Sequence, residues 1–253
     1  MKNDFDFSGR SALITGAASG IGAASAKWLD ERGIGTLILI DKDADGLAAL
    51  DLSCETELHT ADVGDESFWD GLDANLNGLD HAIVNAGIGA FAPMADHTFS
   101  DWRKVMSVNL DGAFLTLRSA LRAMRKSGGG SAVLVASITG HKAVPAIGAY
   151  GVAKAGVSHM ARIAAAEGAE QNIRVNAIAP GGVDTAIWDA GEAFQKMVEE
   201  QGRDAALQAL ATGTPRGKLA TSDEIAGNIG YLLSDAAANI TGTVQVSDGG
   251  YSL

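Results

Sequence analysis

Ser11-Ala-Leu-Ile-Thr-Gly-Ala-Ala-Ser-Gly-Ile-Gly22 begins as a short apolar run, breaks at Gly16, Gly20 and Gly22, and continues into Ala23–Leu29, a stretch of strong helix formers. Strand, glycine turn and helix, in that order, are what a phosphate-binding loop requires. Glycine lets the backbone come close to a pyrophosphate, and the helix that follows aims its free N–H groups and the positive end of its dipole at the anion. The spacing Gly-x-x-x-Gly-x-Gly departs from the Gly-x-Gly-x-x-Gly dinucleotide fingerprint, and the chain carries 32 glycines, so the loop has to be weighed with its surroundings.

Outward from it, Thr36–Ile40 reads as a second buried strand ending at Asp41, 19 residues after Gly22. An acid there accepts hydrogen bonds from the adenosine ribose in dinucleotide-binding folds; the other reading is a cap on a helix begun near Asp43. A strand near Glu57–Thr60 closes at Ala61-Asp62-Val63, where Asp62 serves either an adenine amino group or the adjacent turn. Leu79–Val84 runs into Asn85-Ala86-Gly87, small residues at what becomes the carboxyl edge of a sheet.

Apolar residues from Trp102 to Met124 repeat at helical spacing and predict one helix over 101–126. Asn109 falls in its middle, where asparagine is mildly unfavourable and is ordinarily a solvated or inter-helix contact. Ser131–Ala136 predicts a strand ending at Ser137, and Asn172–Ala179 another, broken by Pro180-Gly181-Gly182. Residues 186–214 mix Trp188, Phe194, Met197 and Val198 with charges, which predicts short helices on a mobile flap. Thr221-Ser-Asp-Glu224 has capping-box form. Strands begin near residues 11, 36, 57, 79, 131, 173 and 243 with helices between them. That alternation predicts an α/β fold, a single-domain Rossmann-type doubly wound arrangement spanning 1–253 with a seven-stranded parallel sheet.

Tyr150-Gly-Val-Ala-Lys154 places a phenol and an ammonium four residues apart. On a helix they share a face about 6 Å apart along the axis. A neighbouring cation favours the phenolate, which turns a poor base into a usable one. Alone, the pair also fits a solvated Tyr-Lys contact. Ser137 precedes Tyr150 by 13 residues, so a strand end and a helix face can meet in one cleft.

With 47% hydrophobic and 20% charged residues the composition is that of a globular protein. The net charge of −12, with no basic cluster, opposes binding to nucleic acid or to anionic membranes. Cys54 has no internal partner, the N-terminal residues form no signal-peptide core, and no apolar run approaches the roughly 18 residues of a membrane span, so the expected location is cytoplasmic. His59, His81, His97, His141 and His159 lie singly on different elements, and no metal site is expected. His141, four residues after Ser137, either reaches the cleft or belongs to a surface loop.

Taken together, Thr15–Gly22, Asp62, Asn85-Ala-Gly87, Asn109, Ser137, Tyr150-x-x-x-Lys154, Asn176, Pro180-Gly181, Thr185 and Asp248-Gly-Gly250 resemble the single-domain branch of the short-chain dehydrogenase/reductase family along essentially the whole chain. The resemblance implies an NAD-dependent oxidoreductase that interconverts a secondary alcohol and a ketone. In that assignment Tyr150 is the general acid/base, Lys154 lowers its pKa and meets the nicotinamide ribose, Ser137 holds the substrate oxygen, and Asn109 keeps a water linking Lys154 to solvent. The cofactor site takes in Gly16, Ser19, Gly20, Ile21 and Gly22 at the pyrophosphate, with Asp41, Asp62 and Val63 at the adenosine. Asn85, Ala86 and Gly87, then Pro180, Gly181, Val183 and Thr185, complete it with Tyr150 and Lys154, Thr185 meeting the carboxamide. The substrate side takes in Ser137, Ile138, Val144, Ile147, Tyr150 and Trp188, with Ile88, Phe91, Val183 and Phe194 as further apolar lining, which suits an apolar alicyclic or aromatic alcohol. The partner is thus a small molecule, and a homotetramer is implied. Two alternatives remain: an NADPH-dependent 3-oxoacyl-carrier-protein reductase, which needs a basic dock this acidic chain lacks, and a catalytically silent dinucleotide-binding protein, whose usual sign is loss of Asn109, Ser137, Tyr150 or Lys154.

Overall fold

The computed structural model describes residues 4–253; the span 1–253 read from the sequence thus begins with three residues outside the described ones. Seven strands, β1 (Ser11–Thr15), β2 (Thr36–Asp41), β3 (Glu55–Thr60), β4 (His81–Val84), β5 (Gly130–Val135), β6 (Ile173–Pro180) and β7 (Val244–Ser247), pair in the order β3-β2-β1-β4-β5-β6-β7, every pair parallel. From β1 the chain winds outward to β3 and then returns to lay β4 on the other side of β1. The connections diverge at that point, opening a crevice at the carboxyl ends of β1 and β4, where open α/β sheets hold ligands.

Side chains alternate across the sheet because the strand repeat is two residues. On β1, Leu13 enters one apolar core while Ala12 and Ile14 enter the other. The first core packs against α3 (Glu66–Asp73), α5 (Gly112–Ser127) and α6 (Gly148–Gly168), and includes the fully buried Trp69, whose indole N–H donates to the Val63 carbonyl at 2.9 Å. The second packs against α1 (Gly20–Asp30), the short α2 (Ala44–Ala48) and α9 (Ser222–Leu233). Both sheet faces are thereby covered, which explains why the central strands read as continuous apolar runs.

The Thr221 hydroxyl accepts the Glu224 N–H at 3.1 Å and the Glu224 carboxylate accepts the Thr221 N–H at 3.0 Å, closing the capping box that begins α9. At the other end of α9, the Arg174 guanidinium donates to the carbonyls of Leu232, Leu233 and Ser234, groups that a helix C-terminus leaves without partners.

The helix predicted over 101–126 is divided. α4 (Phe99–Met106) leads into a π-helical turn, Ser107–Asp111, and only then into α5. The apolar repeat runs through both halves, so periodicity alone does not reveal the wider turn. The 186–214 segment folds as a 3₁₀ turn (Ala186–Ala190), α7 (Glu192–Gln201) and α8 (Arg203–Ala211). Among the described residues no helix is long and apolar enough to cross a membrane.

Candidate active site

The glycine loop is built for close approach. Gly16 and Gly20 have φ of +66° and +53°, backbone that side chains disfavour, and a Cβ at Gly22 would run into the Gly16 carbonyl oxygen. The loop is tied to the end of β4. The Thr15 hydroxyl accepts the N–H groups of Asn85 (3.1 Å) and Ala86 (3.3 Å), and the Asn85 amide donates to the carbonyls of Thr15 (3.0 Å) and Gly16 (3.1 Å). Ser19, extended and making no side-chain cap, leaves the first N–H groups of α1, including those of Gly20, Ile21 and Gly22, for an anion.

Asp41 stands beside this loop. One carboxylate oxygen accepts the Ala18 N–H at 3.0 Å and the other the Asp43 N–H at 3.1 Å, while Asp43 itself caps α2. A carboxylate oxygen has two lone pairs, so each retains acceptor capacity. Asp62 is exposed and accepts the Gly64 N–H at 2.8 Å beside the buried Val63, so the turn uses at least one of its oxygens. Chain ties, the free helix N-terminus and the placed carboxylate fit a dinucleotide along this edge.

At the other end of the crevice α6 carries Tyr150 and Lys154 on one face, with Lys154 Nζ 5.6 Å from the Tyr150 ring centre. Ser137, at the end of β5, stands close enough to the Tyr150 hydroxyl to favour its phenolate form. The Ser137 Oγ also accepts from the Thr139 N–H (3.2 Å) and hydroxyl (3.0 Å). Lys154, only 3% exposed, donates to the Val135 carbonyl at 2.7 Å. Asn109 sits in the π turn, fully buried rather than solvated: its amide oxygen accepts the Ile88 N–H at 2.8 Å and its Nδ2 donates to the Ile88 carbonyl at 2.9 Å. π turns within helices frequently mark functional positions. A Cβ on Gly87 would stand 3.4 Å from Lys154 Nζ and 3.5 Å from Asn109 Oδ1, so the three positions converge.

The electrostatics differ from the sequence expectation. Burial pushes the Tyr150 phenol up to about 12, against a smaller lowering by the nearby Ser137 hydroxyl, and burial pushes the Lys154 ammonium down to about 8. Desolvation is the largest influence on both groups, disfavouring the phenolate at Tyr150 and the ammonium at Lys154.

The residues expected on the substrate side form a wall shared by three segments. Ala92 and Ile147 form a β-bridge, with the Ala92 N–H donating to the Ala146 carbonyl at 2.9 Å, which joins the loop after β4 to the loop carrying Val144. Ile138 is buried behind Ser137. Trp188 comes from the 186–214 segment, anchored by its indole N–H on the Val183 carbonyl at 2.8 Å. Its ring stacks on Phe91 at 6.4 Å and 22° and leans on Phe194 at 6.3 Å. A Cβ on Gly20 would lie 3.2 Å from Thr185 Cγ2, so Thr185 overhangs the glycine loop. Beyond Pro180, Gly181 allows the backbone of Asp248 to pack against it, and Gly181 N–H donates to the Ser247 carbonyl at 3.0 Å.

Some motif residues support the frame instead. Asn176 joins the Ile240 carbonyl and the Thr243 N–H, holding the lead into β7. His141 is exposed and pairs with the Ser158 hydroxyl at 3.2 Å, which makes it a loop histidine. Sequence reasoning passed over Thr15 and Thr139 as partners of the site; Thr15 lay inside the quoted motif, whereas a threonine two residues after Ser137 carries no signal of its own. Among the described residues no three His, Cys, Asp or Glu side chains gather as metal ligands.

Known proteins share this arrangement. A family model described as enoyl-(acyl carrier protein) reductase matches residues 16–252. The chain is 37% identical to cis-4-hydroxycyclohexanecarboxylate dehydrogenase of Sinomonas cyclohexanicum, over 97% of this chain and 98% of that protein. The solved structure of levodione reductase superposes with a TM-score of 0.86 at 34% identity, covering 97% of this chain and 98% of that one. L-Sorbose reductase from Gluconobacter frateurii, complexed with NADPH and L-sorbose, gives 0.91 at 26% identity, covering 98% of each chain. Agreement in sequence and backbone over nearly the full length leads to one conclusion: this chain belongs to the short-chain dehydrogenase/reductase family.

Proposed function

We propose that this protein interconverts an apolar secondary alcohol, alicyclic or aromatic, and its ketone with NAD, cofactor and substrate sharing one domain. The observation that carries the reading is the convergence of Tyr150 and Lys154 on one face of α6 with Asn109 of the π turn and with Ser137 at the end of β5. In ketone reduction Tyr150 O–H donates its proton to the carbonyl oxygen while the Ser137 hydroxyl holds that same oxygen; alcohol oxidation runs the transfer backwards. Bound NAD supplies or accepts the hydride. Lys154 places a charge beside the phenol, and Asn109 keeps the Ile88 backbone, and with it the floor of the crevice, in register. The wall of Phe91, Trp188 and Phe194 favours a ring over a polyol, in keeping with the cyclohexane ring in one relative's name.

The enoyl-(acyl carrier protein) reductase family model raises enoyl reduction as a second reading, but Tyr150 and Lys154 four residues apart match the alcohol–ketone members, as the family resemblance implies. A carrier-protein substrate fits poorly with a net charge of −12. Retention of Asn109, Ser137, Tyr150 and Lys154 speaks against a silent dinucleotide binder. Phe114 on α5 and Val152 and Ile163 on α6 are each close to half exposed, apolar surface that a homotetramer working in the cytoplasm would cover. A panel of secondary alcohols, followed by NADH formation, tests the function. Alicyclic alcohols are expected to lead; hydroxy acids or sugars turning over at least a hundredfold better would overturn the substrate class.

A further inference from the structure

Thr185 is the first residue of a segment that has to hold still for the proposed carboxamide contact, yet it does little to hold itself. It occupies the cap position of the 3₁₀ turn Ala186–Ala190 without a side-chain cap bond. The tie comes from α8, the last helix of the 186–214 region. Arg203, its first residue, sends Nη1 to the Asp189 carboxylate at 2.7 Å, and Nη2 to the Asp184 carboxylate at 3.3 Å and to the Thr185 carbonyl at 3.2 Å. Its guanidinium carbon also lies 5.5 Å from the centre of the Phe194 ring, which leans on Trp188. One planar cation thus gathers both ends of the segment 184–189 and the aromatic wall.

We infer that Arg203 is a positioning residue for the nicotinamide half of the cofactor site, acting through Thr185. The inference rests on the reading of Thr185 as the carboxamide contact. Geometry sets its character. The Arg203 and Asp189 side chains are 39% and 51% exposed, and ion pairs at that exposure add little to global stability. Holding three acceptors at fixed angles is a different task, which a guanidinium fork performs and an ammonium, a point charge on a flexible stem, does not. Arg203→Lys therefore keeps the charge and removes the geometry, leaving long-range attraction for the anionic dinucleotide in place.

The test compares NADH with ADP-ribose, which keeps the pyrophosphate but lacks the nicotinamide, by titration calorimetry on the full chain. For Arg203→Lys the Kd of NADH is expected to rise at least tenfold while that of ADP-ribose stays within twofold and Tm within a few degrees. Thr185→Ala is expected to lose the same selectivity. Unchanged NADH binding in Arg203→Lys overturns the inference, and so does equal weakening of both ligands, which marks a role in charge or folding. Selectivity lost in Thr185→Ala but kept in Arg203→Lys leaves the reading of Thr185 standing and sinks the role of Arg203. Selectivity lost in Arg203→Lys but kept in Thr185→Ala overturns the route through Thr185.

Discussion

Lys154 Nζ lies 5.6 Å from the centre of the Tyr150 ring, and burial reverses the ordinary order of their acidities: the phenol rises to about 12 and the ammonium falls to about 8. A phenol so placed holds its proton firmly at neutral pH, which suits delivery to a carbonyl oxygen, and its activation as a base requires further positive charge at the site. Tyr150→Phe is expected to keep the fold and NADH affinity, because the ring and its packing remain, and to lower kcat by about 10²–10⁴. Steady-state kinetics beside NADH titration checks this; more than a tenth of the kcat remaining removes Tyr150 from the mechanism.

Lys154 is costly to the fold. Its value of about 8 against an ordinary 10.5 means that the buried ammonium is disfavoured below pH 8 by about 3 kcal/mol, at about 1.36 kcal/mol per decade. Its one bond to the protein, on the Val135 carbonyl, returns part of that. Lys154→Met, of similar length and apolar, is expected to leave denaturant stability at pH 7 unchanged or raise it by up to about 2 kcal/mol while activity is lost. A loss of more than about 2 kcal/mol would show that the lysine is a structural element of the sheet edge.

The strands and glycine loop were legible because their signals are local: apolar runs of five or six residues, glycines where φ is positive, and Asp41 at a strand end. The contacts of Asn109, which only the family resemblance singled out, and the protonation of Tyr150 were not. A π turn adds one residue to a helical turn without disturbing the apolar repeat on either side, and Asn109 gains its meaning only from Ile88, 21 residues away. Likewise the charge balance at Tyr150 depends on how much water the assembled crevice excludes, a tertiary quantity. Tyr150-x-x-x-Lys154 identifies the pair; it does not set the pair's acidities.

His81 on β4 makes the fold sensitive to acid. The ring is 3% exposed, packs edge-on against Phe7 at 5.1 Å, and has both nitrogens buried without hydrogen-bond partners. Burial, with Arg10 and Arg174 nearby and Asp80 and Asp235 opposing them, moves it from 6.5 down to about 4. With the folded value below the unfolded one, the unfolded chain binds the extra proton between those limits. Stability is therefore lost as pH falls from 6.5 towards 4, by about 3 kcal/mol in all. Chemical denaturation at a series of pH values should show a shallower slope over this window for His81→Phe than for the unmodified protein. Identical slopes would mean that the imidazole is already solvated or paired.

Asp41 is expected to decide the dinucleotide. The Ala18 and Asp43 N–H groups fix its carboxylate beside the glycine loop, and its remaining lone pairs can accept the two adenosine ribose hydroxyls of NAD, charge-assisted bonds worth roughly 1.5–3 kcal/mol each. NADP carries a phosphate in place of one hydroxyl. At about 4 Å and an effective dielectric near 20, a like charge costs about 4 kcal/mol, nearly a thousandfold in affinity. Lys42 is exposed and Asp43 adjoins it, so the loop offers no strong compensation. The unmodified protein is expected to prefer NAD at least a hundredfold in kcat/KM. Asp41→Ala should cut that preference sharply, mainly by improving NADP, with some loss towards both cofactors as the Ala18 tether goes. Equal use of NAD and NADP by the unmodified protein would show that Asp41 serves only the loop and that Lys42 reaches the phosphate.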